Sequence, residues 1–180
     1  PTLDGEPSYE LIPHGLHDST KPYWQACDVR RYAYWSMLSG SAGHTYGDNA
    51  IMQFWSGKEP PAYGAILPWQ EALHNPGGMQ MGHMRRLMEL LPWHEGRACQ
   101  ELLPDNNGKR YTYNLAFATP DTACVYTYTG EPFTIDGSVL AYAQGYAYWF
   151  DPVIGGVSYI GRIALDGRAV FTPPRRRSGQ

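Results

Sequence analysis

The chain has 180 residues, of which 43% are apolar and 17% charged, which suits a packed core in one ordinary domain or two small ones and excludes a disordered chain. A formal net charge of −3 gives no general pull toward nucleic acid or an anionic membrane surface. No apolar run approaches the length of a membrane-spanning helix.

The three cysteines, Cys27, Cys99 and Cys124, are far apart and form no CxxC pair. That spacing argues against a disulfide scaffold and a structural zinc; it leaves open one disulfide or free buried thiols. Aromatic residues are plentiful, with 14 Tyr and 6 Trp. Their flat faces and polar tips suit sugar rings, although most such residues serve in cores and on sheet surfaces. The opening Pro1–Glu6 reads as the interior of a larger protein, so the absence of a signal peptide carries little weight.

In chain order, Thr2 to Gly5 reads as a short strand that Pro7 ends by fixing φ and removing a donor. Residues 7–27 form a loop rich in Pro, Gly, His and Ser. Asp28 is the expected N-cap of a helix to about Ser39, with Val29, Ala33, Ser36 and Met37 on one face and Gly40 as the stop. A second strand is expected near Gly43–Tyr46. Ala50–Trp55 either continues it or forms a short helical turn. After an irregular, proline-rich stretch over 56–76, residues 77–91 read as a helix with Met81, Met84, Met88 and Leu91 inward and Arg85, Arg86 and Glu89 outward.

From Arg97 the pattern changes to short strands: Tyr111–Ala118, Cys124–Thr129, Phe133–Asp136, Tyr146–Phe150, Ser158–Ile163 and Ala169–Thr172. Between them lie turn signals such as Asn106-Asn107-Gly108, Asp151-Pro152 and Asp166-Gly167. The expected fold class is therefore α/β followed by an all-β sandwich. The boundary falls near Trp93–Arg97, which gives domains 1–96 and 97–173. The tail, residues 174–180, ends in Arg175-Arg176-Arg177-Ser178-Gly179-Gln180 and reads as a solvated end.

Glu6 is the first candidate for chemistry. It ends a short strand of parallel type, just before a proline and a long loop, and in a barrel that position opens onto the face where active sites are built. Glycoside hydrolysis commonly needs two carboxyl groups, of which Glu6 can be one. The alternative is a carboxylate that caps a loop or pairs with an arginine. The next constellation is Gly43–Asn49, where His44 and Tyr46 are placed to donate to a sugar hydroxyl or steady a nucleophile; His44 reads equally well as a satisfied core histidine. Trp55 is a candidate sugar platform or an ordinary packing residue. His14 and His17, near Asp18, invite a metal reading, but the loop lacks helical support and no HExxH occurs, so a substrate-binding or loop-ordering role is expected and no metal or other cofactor.

Leu3-Asp4-Gly5-Glu6-Pro7-Ser8-Tyr9-Glu10, Asp28-Val29-Arg30-Arg31 with Tyr34-Trp35, Gly43-His44-Thr45-Tyr46-Gly47 and Trp69-Gln70-Glu71-Ala72-Leu73 together resemble the apiosidase-like family of bacterial glycoside hydrolases. Phe133-Thr134-Ile135-Asp136 and Trp149-Phe150-Asp151-Pro152 resemble the domain that follows its barrel, which carries a collagen-binding label. The resemblance implies the C-terminal portion of a (β/α)8 TIM barrel followed by a β-sandwich. It implies a retaining glycosidase with a Glu nucleophile after the seventh strand, matched by Glu6, with Glu10 second. The acid/base would come from an earlier strand outside this sequence, so the missing N-terminal barrel half is an expected partner. Tyr9, Glu10, His14, His44, Tyr46 and Trp55 make up the expected substrate-binding set. The implied substrate is a plant-type polysaccharide side chain, met outside the cytoplasm, in an extracellular or periplasmic location. The alternative function is a non-catalytic β-sandwich module that binds glycan or protein.

Overall fold

The computed structural model describes residues 1–105 and 107–174. The expected solvated end at Arg175–Gln180 lies outside them, as does Asn106 of one predicted turn.

The first half alternates strand and helix. Strand β1 (Leu3–Asp4) pairs in parallel with β2 (Gly43–His44), Leu3 opposite Gly43 and Asp4 opposite His44. Helix α1 (Ala26–Leu38) connects them, as a parallel pair requires a crossover. Asp28 is not its N-cap. Gln25 takes that position, and Asp28, at the third helical residue, accepts the Gln25 N–H at 2.9 Å. Two short helices, α2 (Asn49–Met52) and α3 (Trp69–Ala72), precede the longer α4 (Pro76–Leu90). The sequence left Ala50–Trp55 between strand and helix. The Asp48 carboxylate settles it by capping the Ala50 and Ile51 amides at 2.9 and 3.2 Å.

The second half holds small antiparallel sheets. Strands β3 (Arg97–Ala98), β4 (Leu115–Ala118) and β5 (Ala123–Tyr126) form one; β6 (Phe133–Asp136) pairs with β9 (Arg168–Phe171), and β7 (Gln144–Phe150) with β8 (Val157–Ala164). The strand expected from Tyr111 begins only at Leu115. Before it, the Thr112 hydroxyl bonds back to both the N–H and the carbonyl of Lys109, which favours a 3-10 turn over Arg110–Thr112.

One apolar core crosses the expected boundary. Ala33, Tyr34, Met37 and Leu38 of α1 and Met84 of α4 pack against Leu115, Phe117 and Tyr126. Tyr34 stacks on Tyr126 with centroids 4.7 Å apart, and Trp93 on Phe117 at 3.7 Å. A second cluster, including Cys99, Leu102, Ala116, Ile135 and Leu165, fills the space among the antiparallel sheets.

Candidate active site

The parallel register of β1 and β2 brings the segments that follow both strands to the same end of the molecule. Asp4 and His44 stand side by side there. His44 Nδ1 lies 2.9 Å from Asp4 Oδ2, and the same carboxylate oxygen accepts from the Ser36 hydroxyl of α1. The other ring nitrogen of His44, Nε2, is buried and has no partner among the described residues.

Past β1 the chain turns outward, and Glu6 is exposed. The Tyr9 hydroxyl donates to Glu6 Oε1 at 3.2 Å. Burial first, and then this bond to the carboxylate, hold the Tyr9 phenol above its ordinary pKa. The Tyr9 ring lies on Gly47, where a Cβ would come within 2.5 Å of it, so only glycine permits that contact. Among the described residues no arginine pairs with Glu6.

Glu10 occupies the opposite environment and is only 2% exposed. Its backbone bridges the second loop, its N–H bonding the Gly47 carbonyl and its carbonyl accepting from Asn49, each at 2.9 Å. Its side chain accepts from the Tyr46 hydroxyl at 2.6 Å and from the Gly77 amide at 3.3 Å. Gly77 is in the first turn of α4, so the carboxylate meets an otherwise orphaned helix N–H and the positive end of the helix dipole. Burial nevertheless raises its pKa; the two hydrogen bonds oppose that rise and the nearby Asp48 adds to it. Burial and Glu10 push the Tyr46 phenol far up as well.

The other predicted site residues lie further out. His14 is exposed, 3.8 Å from the Trp24 ring, and His17 packs on Tyr63 at 4.8 Å. Trp55 is half-buried against Ala50, Ala65 and Ala72, and its indole N–H donates to the Glu59 carbonyl at 2.6 Å. Thus Glu6 meets Tyr9 and Glu10 meets Tyr46, while Trp55 and His14 sit in separate clusters. Among the described residues no group of three or more His, Cys, Asp or Glu is placed to hold a metal ion.

Sequence reasoning missed the supporting polar groups. Asp48 caps α2 and accepts from the Asn75 amide at 2.6 Å, while buried Asn49 donates to the carbonyls of Leu11 and Tyr63 at 2.9 and 2.8 Å. Asp48 was discoverable as an Asp directly ahead of a short apolar run. Asn49 gives no comparable signal, because its partners are distant carbonyls.

Residues 1–95 match the family model described as "Apiosidase-like, catalytic domain". The chain belongs to the apiosidase-like family. Residues 99–180 match a second model, "Putative collagen-binding domain of a collagenase". A solved structure titled "Glycoside hydrolase" is 43% identical with a TM-score of 0.95. A second, a glycoside hydrolase family 5 protein from Bacteroides vulgatus, is 38% identical with the same TM-score. Each match covers 99% of this chain, which spans 40% of each of those chains. No curated protein matches. The apiosidase-like chain is thus glycoside hydrolase-like. No helix among the described residues is long and apolar enough to cross a membrane.

Proposed function

We propose that this chain is the nucleophile-bearing end of a retaining glycoside hydrolase, with Glu6 as the nucleophile. The observation that carries the reading is the contrast between two carboxylates four residues apart. Glu6 stands in solvent at the end of a parallel strand with one phenol donor, whereas Glu10 is enclosed with both oxygens engaged. Only the first can reach an anomeric carbon. Tyr9 orients it; Asp4, His44, Glu10 and Tyr46 fix the two loops. Tyr9, His14 and Trp55 are the proposed sugar contacts.

In this reading residues 1–96 form the last two βα units of a (β/α)8 barrel and 97–173 a β-sandwich packed against them. The acid/base carboxylate comes from an earlier barrel strand. A groove of about 470 Å³ lined by Met37, Met81, Met84, Met88 and His44 supports the arrangement, because an apolar face of this kind calls for a covering segment. The proposed substrates are plant-type polysaccharide side chains, met in the extracellular or periplasmic space. In the full-length enzyme, Glu6→Ala should abolish turnover of aryl glycosides. An activated fluoro-sugar should label Glu6 covalently, as a retaining mechanism requires. Undiminished turnover by the variant, or labelling elsewhere, removes the assignment. A second reading, a non-catalytic binding module, draws on the separate family match of residues 99–180.

A further inference from the structure

Five non-glycine residues among the described ones have left-handed backbone, and four of them, Leu11, Leu16, Phe54 and Tyr63, lie in the segments that follow β1 and β2. Such strain persists only where the surroundings over-determine it, and it clusters at active sites and ligand clamps. In the turn Ala62–Gly64, Tyr63 has φ 54° and ψ 26°, and Gly64 follows at φ 60°. Positive φ at two successive positions is the pattern of a type I′ turn, which favours Asn, Asp and Gly rather than an aromatic residue. Three successive carbonyls of this turn accept side-chain donors: Ala62 from Gln53 at 2.8 Å, Tyr63 from Asn49 at 2.8 Å and Gly64 from the Tyr23 hydroxyl at 3.0 Å. A Cβ on Gly64 would lie 3.0 Å from that hydroxyl and 3.2 Å from Ser19 Cβ, so the turn sits directly on the loop after β1.

What this clamp presents is the Tyr63 side chain. Its ring lies 4.8 Å from that of exposed His17, tilted by 31°, and His17 directly follows strained Leu16. Neither the Tyr63 hydroxyl nor a His17 ring nitrogen makes a hydrogen bond or ion pair among the described residues. The backbone of the turn is thus tied at each carbonyl while the tips of both rings are unused. Asn or Gly would close the same turn with less strain, so the fold alone gives no reason for a tyrosine there. A flat aromatic face with hydrogen-bonding tips suits a sugar ring, whose C–H patch lies between hydroxyls. We infer that Tyr63, with His17 beside it, is a specificity-determining subsite for a sugar unit adjoining the one whose bond is broken. The inference rests on the glycosidase reading given above. The pair belongs to the loops that follow both parallel strands, at the end of the molecule that carries Glu6, and it lies beyond Tyr9, which occupies the position next to Glu6 itself.

The test uses the full-length protein carrying Glu6→Gln, which arrests turnover, and the oligosaccharides of a partial acid hydrolysate of pectin. Their binding is measured by equilibrium dialysis. Tyr63→Asn suits the left-handed turn and removes the ring. In the Glu6→Gln background it should weaken oligosaccharide binding by about threefold to tenfold and leave the melting temperature equal or higher. His17→Ala should weaken binding in the same direction. Binding unchanged in either variant, a melting temperature lowered by Tyr63→Asn (a ring kept for packing), or no oligosaccharide bound by the parent protein would overturn the proposal. The nucleophile is judged separately: a fluoro-sugar that labels a residue other than Glu6 in the native enzyme removes that assignment and leaves the binding result standing.

Discussion

The Tyr46 hydroxyl donates to Glu10 Oε2 at 2.6 Å, joining the loop after β2 to the loop after β1. The carboxylate pays for that position in pKa, since burial raises it above the usual carboxylate range. A carboxyl group whose folded-state pKa exceeds its unfolded value binds more protons folded than unfolded between the two values. Stability therefore falls as pH rises through that window, and the loss is complete above it. Below the ordinary carboxylate pKa the group is protonated in both states and imposes no such penalty. Glu10→Gln does not titrate, so the melting temperature of the native chain relative to this variant should decline as pH is raised from about 4 upward. Two melting curves that run parallel across that range would contradict the account.

Gly77 faces the same carboxylate. A Cβ there would come within 2.1 Å of Glu10 Oε2 and 3.0 Å of a Val29 methyl. Glu10 is held by Tyr46 and by the backbone and has little freedom to retreat. Gly77→Ala should therefore destabilise by about 1–3 kcal/mol, although alanine favours a helix. Gly82, in the same helix, has nothing within 4 Å of its built Cβ, so Gly82→Ala is the control and should stabilise slightly. Chemical denaturation of the two variants separates the steric effect from helix propensity.

Periodicity and punctuation made much of the architecture legible before any coordinates. The helix read over 77–91 lies at Pro76–Leu90, with Met84 buried, and the strand read over Phe133–Asp136 has those bounds. Less was legible where long-range partners decide the outcome. Asp28 looked like an N-cap because capping chemistry is local, yet the cap is Gln25, three residues earlier. The core that joins the two halves through Tyr34 and Tyr126 lies 92 residues apart in sequence and has no local signature. At the site, the GEPxYE run drew attention to both glutamates and could not distinguish them. Burial beneath α4 separates them, and it depends on Gly77, 67 residues away.

Tyr9 links Glu6 to Gly47, which makes it a sensitive position for the proposed chemistry. Tyr9→Phe removes one hydrogen bond to the carboxylate and should lower kcat in the full-length enzyme by about threefold to tenfold. Gly47→Ala keeps the phenol but places a methyl within 2.5 Å of its ring, which must move. Both variants should lose turnover while the rate of the buried-site variant Tyr46→Phe responds mainly through stability. Steady-state kinetics beside melting temperatures makes the distinction. If Tyr9→Phe turns over at the native rate, the phenol does not orient Glu6.

Arg31 provides the strongest test of how the two halves are held together. It is 1% exposed, and its guanidinium carbon lies 4.8 and 5.4 Å from the rings of Tyr32 and Trp35 and 4.6 and 4.9 Å from those of Tyr111 and Tyr128. Two of those rings come from each half. Burial works against the charge; the Asp28 carboxylate, 2.9 Å from Nη1, offsets it. Arg31→Ala leaves Asp28 without its cation and the four rings around a void, and should cost about 3–5 kcal/mol. Lysine keeps the charge but lacks the planar fork that faces several rings at once, so Arg31→Lys should recover only part of the loss. If the charge alone mattered, the lysine variant would match the native chain in denaturant midpoint. If the flat group between the rings matters, Arg31→Lys should remain well below it, and Tyr111→Leu and Tyr128→Leu should each cost less in that background than in the native one.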